Sequence, residues 1–478
     1  MSEAGYERLS AVDAAFLSIE DDAAYTHVGG IILMDASTLT APHGGVDLEQ
    51  FRLYLESAVM QTPRLRQRLQ KTPGFGHPVW VEDAHFRLDY HLRHTALPRP
   101  GGMNELHRLA GRIFSQRLDR ERPLWEMWVV EGLDGDRFAL IPKIHHCLLD
   151  GVGAVGLMAA LAGARKTAAL PTEPPPPPQP TRSDLWWGEV KHRLEGVQQT
   201  LRSARDAVQQ VRDGNAGAGD LAKGLGGALK HSLSSVTATP LNPEQLGPHR
   251  RFETLRMDLK EVKGIKKQLG GTLNDVVLAI VTGGLRTYLA RRGVDLSDIE
   301  RFRAMLPANT RTGAPGANMG NRISLLLAEL PLDENDPLER LRRIREETSY
   351  LKDESNEVAG AELIGKLDDG LGLGLVASTF KLAINRRAFN LVVTNVPGPP
   401  MSLNLFGAKL LGVHALVPLF SHQALGIALF SYDGGLYWGF NADWDAIADL
   451  PALVSDVVES FEQLKEAARV HDEQETRV

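Results

Sequence analysis

Residues 137–157 read RFALIPKIHHCLLDGVGAVGL. An apolar run of strand character breaks at two consecutive histidines, His145 and His146, turns through Asp150 and Gly151, and resumes as a helix of small residues. A side chain at a strand end is held by a fixed backbone while its tip reaches a cleft, and catalytic groups are commonly displayed there. A neutral imidazole so placed can take a proton from a hydroxyl near pH 7, because its ordinary pKa lies close to that value. Asp150 stands four residues beyond His146, beside a glycine that permits a sharp bend. It would hold the loop by pairing with a cation or with backbone N–H groups. The plainer reading is that the histidine pair is structural. A metal site is not expected, since neighbouring strand residues face opposite ways and no third ligand is spaced to help. By the same alternation Cys147 faces away from His146 and reads as a small buried hydrophobe rather than a nucleophile.

Outward from this stretch, strand and helix patterns interleave. Residues 26–35 (THVGGIILMD) and 125–131 read as strands, with helical periodicity at 48–60 and around 106–114. Residues 171–180, PTEPPPPPQP, form a polyproline II segment too stiff to enter a packed core. A polar helical stretch to about 213, a Gly/Ala-rich passage at 214–228 and a Ser/Thr/Pro-rich run follow. The chain therefore divides into a first half, 1–170, a linker carrying at least one helix, 171–250, and a second half, 251–478. In the second half, 251–259 reads as a strand, 261–269 and 272–291 as helices, and 301–306, 324–330, 391–394, 424–432 and 435–441 as strands. Interleaving without a Gly-rich nucleotide loop favours an α/β fold with mixed sheets over a dinucleotide-binding one.

Composition sets outer limits. A chain of 478 residues, 43% apolar and 24% charged, is a soluble globular protein too long for one ordinary core. The formal net charge of −7 and the lack of a basic stripe argue against a nucleic-acid partner. One cysteine excludes a disulfide framework and suits a reducing, cytoplasmic setting. The opening MSEAGYERLSAVDAAFL has no signal-peptide pattern, and nowhere do 18 apolar residues run together, so no membrane span is expected. Contact with a membrane surface stays open. Trp186 and Trp187, followed by Lys191, Arg193, Arg202 and Arg205, read either as an interfacial element or as a linker helix packed by its tryptophans. Glu189, Glu195 and Asp206 interrupt the basic face and favour packing. The absence of G-x-S-x-G argues against a serine hydrolase.

Several stretches act together. His145-His146-x-x-x-Asp150-Gly151 resembles the HHxxxDG signature of the chloramphenicol acetyltransferase-like superfamily. Pro123-Leu124-Trp125, Asn274-Asp275, Thr394-Asn395-Val396-Pro397-Gly398-Pro399 and the opening LSAVDAAFLSIEDDAAYTHVGG make the chain similar, in order from about residue 9 to 450, to the bacterial wax ester synthase/diacylglycerol acyltransferases. Three of these also have structural readings. Thr272-x-x-Asp275 has the spacing of a capping box, Pro397-Gly398-Pro399 of a tight turn, and Pro123-Leu124-Trp125 of core packing at a strand start.

The resemblance implies two chloramphenicol-acetyltransferase-like α/β halves with the active site in a tunnel between them. His146 would be the general base, acting without a covalent acyl-enzyme, with His145 assisting in position and Asp150 in structural support. Asn274 would contact the transition state, and Gly151, Asp275, Asn395, Pro397 and Gly398 would bind substrate. Acyl-CoA would be a co-substrate and no cofactor is needed. The acceptor would be diacylglycerol, a long-chain fatty alcohol or both, met by a cytoplasmic protein in peripheral contact with a membrane or lipid droplet. Two rival readings are a condensation-type acyltransferase fed by a carrier-protein thioester and a non-catalytic lipid-binding protein of the same fold.

Overall fold

The structure is a computed structural model, and it describes residues 5–42, 44–74, 76–148, 178–212, 234–309, 323–353 and 374–475. The first half runs β1 (Tyr6–Arg8), α1 (Ala11–Ser18), β2 (His27–Asp35), α2 (Leu48–Gln61), β3 (Gln67–Gln70), β4 (Val79–Glu82), α3 (Leu88–His91), β5 (Leu92–Ala96), α4 (Met103–Phe114), β6 (Trp125–Leu133) and β7 (Arg137–His145). Helix α5 (Arg182–Arg212) lies in the linker. The second half begins with β8 (Arg250–Asp258), α6 (Leu259–Leu269), α7 (Leu273–Arg291), β9 (Arg303–Asn309), β10 (Ile323–Glu329) and α8 (Pro337–Asp353). It ends with α9 (Leu375–Asn385), β11 (Leu391–Pro397), β12 (Asn404–Leu405), β13 (Ala408–Leu416), β14 (Leu425–Tyr432), β15 (Gly435–Asp443) and α10 (Leu450–Glu475).

These strands make two six-stranded sheets and one of three. One large sheet has the order β10-β9-β11-β14-β15-β8, with β11 parallel to both neighbours and the other pairs antiparallel. The other has the order β12-β13-β2-β7-β6-β5, with only β5 and β6 parallel. The small sheet is β1-β4-β3. This is the mixed-sheet α/β architecture that the interleaved pattern predicts.

The exchange of β12 and β13 is the feature a division at residue 251 does not show. Both come from the second half and extend the first half's sheet at the edge of β2. Between the halves the backbones come very close. A Cβ on Gly30 of β2 would lie 2.1 Å from the His414 carbonyl oxygen, and one on Gly439 of β15 would lie 1.9 Å from that of Ala415. Tyr437 Oη donates to the Leu411 carbonyl (2.9 Å) and Asn441 Nδ2 to that of Val417 (2.8 Å), so β15 holds β13 from the other sheet.

The larger core forms around α7, whose run LNDVVLAIVTGGLRTYLAR is buried almost all round, against α10, Trp438 and Phe440. A helix apolar on every side belongs in an interior. Each fully buried large aliphatic or aromatic side chain there contributes about 1.5–3 kcal/mol. The end of the linker is part of this body too. Leu241 is buried, and Asn242 Nδ2 donates to the carbonyls of Asn390 and His422, both at 3.0 Å.

Candidate functional site

Strand β7 ends at His145, and His146–Leu148 leave it in a single 3-10 turn. Two main-chain bonds fix that exit: His145 N–H to the Leu124 carbonyl (3.0 Å) and His146 N–H to the Thr26 carbonyl (2.9 Å). Pro123-Leu124-Trp125 thus reaches the histidines through its backbone. The Trp125 ring stacks on His91 at 4.6 Å and donates Nε1–H to the Leu65 carbonyl (2.7 Å), deep in the core.

The two imidazoles then have different fates. His145 is 1% exposed and held from both sides. Its Nδ1 accepts the Cys147 N–H at 3.2 Å, and its Nε2 lies 3.1 Å from both Glu20 Oε1 and Thr26 Oγ1. An acceptor at Nδ1 puts the ring proton on Nε2, where it is donated toward the carboxylate. Glu20 also accepts the Thr26 N–H (2.8 Å) and Arg120 Nη2 (2.5 Å). Burial alone would raise its carboxyl pKa; the bonds from His145, Arg120 and Thr26 outweigh burial and hold it well below the usual carboxylate range. His145 is therefore a strut with both ring nitrogens engaged.

Among the described residues His146 has no such partners. Its ring stacks on Phe16 with centroids 3.8 Å apart and planes 18° from parallel, and its Nδ1 is buried with no hydrogen bond. Burial, and then the neighbouring His145, push its pKa down to about 4, with its own main-chain carbonyl weakly opposing. At neutral pH the ring is uncharged. Phe16 also meets Phe380 of α9 edge-on at 6.3 Å, so α1 is wedged between the histidine turn and the second half. Cys147 is buried, and burial drives its thiol pKa well above the ordinary value, which leaves no thiolate to attack.

The second half brings its two motifs together. Asn395 Nδ2 donates to Asn274 Oδ1 at 2.8 Å, which uses the oxygen of Asn274 and leaves its N–H groups as the donors on offer. Asn395 Oδ1 is buried without a partner. Asp275, expected among the substrate-binding residues, is instead committed to the start of α7. One of its oxygens takes the Thr272 N–H (2.7 Å), the other the Thr348 hydroxyl (2.8 Å), and its own N–H returns to Thr272 Oγ1 (3.2 Å). Pro397 is exposed at the end of β11. Gly398 is needed for close packing, because a Cβ there would lie 2.3 Å from the Ser431 carbonyl oxygen. Asp150 and Gly151 lie outside the described residues. Among the described residues no hydrogen bond joins the asparagine pair to the histidines.

Glu20, Thr26 and Phe16 are the site residues that sequence reasoning missed. All three lie in the opening stretch that served as a family marker, and nothing in its pattern separates a buried glutamate from a solvated one. Glu20→Ala should lower stability by about 3 kcal/mol, since it strands a buried N–H and a ring proton as well as Arg120. Urea unfolding monitored by tryptophan fluorescence would measure it, and a change below about 1 kcal/mol would mean the carboxylate is not holding this network.

Two mixed-sheet halves, the second lending β12 and β13 to the sheet of the first, make a chloramphenicol-acetyltransferase-like fold. The starter condensation domain of rhizomide synthetase shares it, with a TM-score of 0.57 at 14% identity over 97% of this chain and 95% of that one. More specifically, residues 9–277 match the wax ester synthase/diacylglycerol acyltransferase catalytic domain and residues 319–465 the WS/DGAT C-terminal domain. The chain belongs to the wax ester synthase/diacylglycerol acyltransferase family. It is 34% identical over 476 residues to a putative diacylglycerol O-acyltransferase of Mycobacterium tuberculosis, covering 97% of this chain and 98% of that one. It superposes on the wax ester synthase/diacylglycerol acyltransferase from Marinobacter aquaeolei VT8 with a TM-score of 0.65 at 27% identity, over 96% of this chain and 99% of that one. Among the described residues no helix is long and apolar enough to cross a membrane.

Proposed function

We propose that the protein transfers a long acyl group from coenzyme A to the hydroxyl of diacylglycerol or a long-chain alcohol, with His146 as general base. The observation that carries this is the asymmetry of the histidine pair. His145 has both nitrogens bound by its surroundings, while His146 is an uncharged imidazole whose Nδ1 has no hydrogen bond among the described residues. In the reaction His146 takes the hydroxyl proton as the acceptor oxygen attacks the thioester carbonyl. The C–S bond then breaks, and the proton passes from the imidazole to the departing coenzyme A thiolate. No covalent acyl-enzyme and no cofactor takes part. Asn274, with its N–H groups on offer and its oxygen held by Asn395, is the donor in the second half suited to the tetrahedral oxyanion. To Asp150, outside the described residues, this reading gives structural support of the base. The acceptor and acyl donor meet in a tunnel between the halves, and because both substrates carry long chains the protein works in peripheral contact with lipid.

The test is ester formation by purified protein from radiolabelled palmitoyl-CoA, with diacylglycerol and hexadecanol in parallel tubes. Labelled ester in either tube supports the reading and ranks the acceptors. Ester formed only when palmitate is supplied on a carrier protein would overturn the coenzyme A assignment.

The depressed pKa of His146 gives a second check. The base works unprotonated, so activity is lost as pH falls through its pKa. With that value near 4, kcat/KM should stay level from pH 8 to below the ordinary histidine pKa of about 6.5. An acid limb centred near pH 6.5 would show that the ring is solvated in the working enzyme.

A further inference from the structure

The start of α5 is docked on the small sheet by one face only. Leu185 is 1% exposed and packs with Tyr6, Val79 and Val81. One turn on, the Glu189 carboxylate pairs with Arg8 and with Arg193 Nε (2.7 Å). Gly188 lets Tyr6 approach, since a Cβ there would lie 2.0 Å from the phenol oxygen. Upstream, Thr181 and Asp184 close the helix start with bonds of 2.8 Å and 2.6 Å. The tryptophans take no part in this. Trp186 and Trp187 touch each other edge-on at 4.6 Å and are 46% and 64% exposed. Leu194, two turns beyond Trp187 and so on the same side, is 61% exposed. Packing of the linker helix by its tryptophans is therefore not what the structure shows: Leu185 and Glu189 do the packing, and the indoles point away.

We propose that this ridge, Trp186, Trp187 and Leu194, is a docking surface for a zwitterionic lipid–water interface. Single exposed apolar residues need no account, but two adjacent indoles and a leucine on a rigidly seated helix form a contact patch. Indole suits a lipid–water interface, with an apolar body and one N–H for the wet side. Charge selects the kind of surface. The exposed groups around the ridge are Arg182, Asp184, Lys191 and Glu195, two of each sign, and Lys191 and Glu195 lie 4.0 Å apart. The whole chain carries a formal charge of −7. An anionic membrane would repel it, and between Arg182 and Glu195 the exposed charges balance rather than form the polybasic cluster that reads anionic lipid. The choice of lipid over a protein partner rests on the acyl-transfer reading, whose substrates are long-chain lipids.

Flotation of the full-length protein with phosphatidylcholine vesicles tests the docking without turnover. Wild-type protein should float, and the Trp186→Ala/Trp187→Ala variant should bind about tenfold less, or weaker. Binding should change little between about 0.1 M and 0.5 M NaCl, because the contact is apolar. Both side chains are exposed, so the variant should melt like wild type, and both proteins should esterify detergent-dispersed hexadecanol equally. Wild type left in solution, a variant that floats like wild type, or binding that needs anionic lipid and disappears with salt would each overturn the proposal. So would sedimentation showing that the tryptophans join two copies of the chain. If neither protein makes ester but wild type floats and the variant does not, acyl transfer fails while the docking surface stands.

Discussion

His146→Ala protein is expected to esterify hexadecanol or diacylglycerol about 10²–10⁴-fold more slowly than wild type, with little change in stability. The size follows from losing a base positioned at the attacking oxygen. The small stability cost follows from what His146 gives the fold among the described residues, which is a stack on Phe16 worth about 0.5–1.5 kcal/mol and an Nδ1 with no hydrogen bond. His145→Ala is the informative contrast. It removes the proton that Glu20 receives and the acceptor of the Cys147 N–H, both buried, so its urea midpoint should fall clearly and its activity should fall with the folded fraction. Measuring kcat/KM and the urea midpoint for both variants separates base from strut. If His145→Ala stayed folded yet lost as much activity as His146→Ala, His145 would be more than a strut.

The second large effect lies far from any proton. In Gly439→Val the new Cβ would sit 1.9 Å from the Ala415 carbonyl oxygen, where β15 of one sheet meets β13 of the other. The clash is of the Cβ itself with main chain, and the backbone fixes both, so no rotamer relieves it. The cost should reach or exceed the roughly 1–3 kcal/mol typical of overpacking. Because that contact joins the halves, ester formation should fall with stability. Gly264 of α6 is the control, with no positive φ and nothing within 4 Å of an added Cβ. Gly264→Ala, in a helix interior, should raise stability by about 0.5–1 kcal/mol. Thermal unfolding of the two variants beside wild type reads both effects, and a Gly439→Val protein as stable as wild type would show that the sheets can move apart at little cost.

Local patterns carried the sequence reading a long way. Strands β2, β6, β14 and β15 and helices α2 and α7 lie within a few residues of where apolar periodicity places them, because each has one clear period. Residues 404–416 escaped, because a two-residue strand and a nine-residue strand broken by a register shift at Leu410/Gly412 carry little periodicity. No local signal says which sheet such a strand will join. The site divides the same way. The histidine pair declares itself by spacing and Asp275 by its cap, whereas Glu20 and Phe16 become meaningful only once β2 and α1 lie beside β7. The tryptophans of α5 show the converse, since composition favoured burial and only the docked face of Leu185 and Glu189 shows which side is wet.

The exchanged strand also bears on how the chain is made. Synthesis runs from the N-terminus, so β2, β7 and β6 emerge early, yet the edge of β2 stays bare until Leu416 has left the ribosome. At about 5–20 residues per second that delay is on the order of tens of seconds. An open apolar strand edge is a template for wrong pairing during that time. Overexpressed protein truncated before Ala408 should collect in inclusion bodies, and slower growth or chaperone supply should matter more for yield than the stability of the finished molecule.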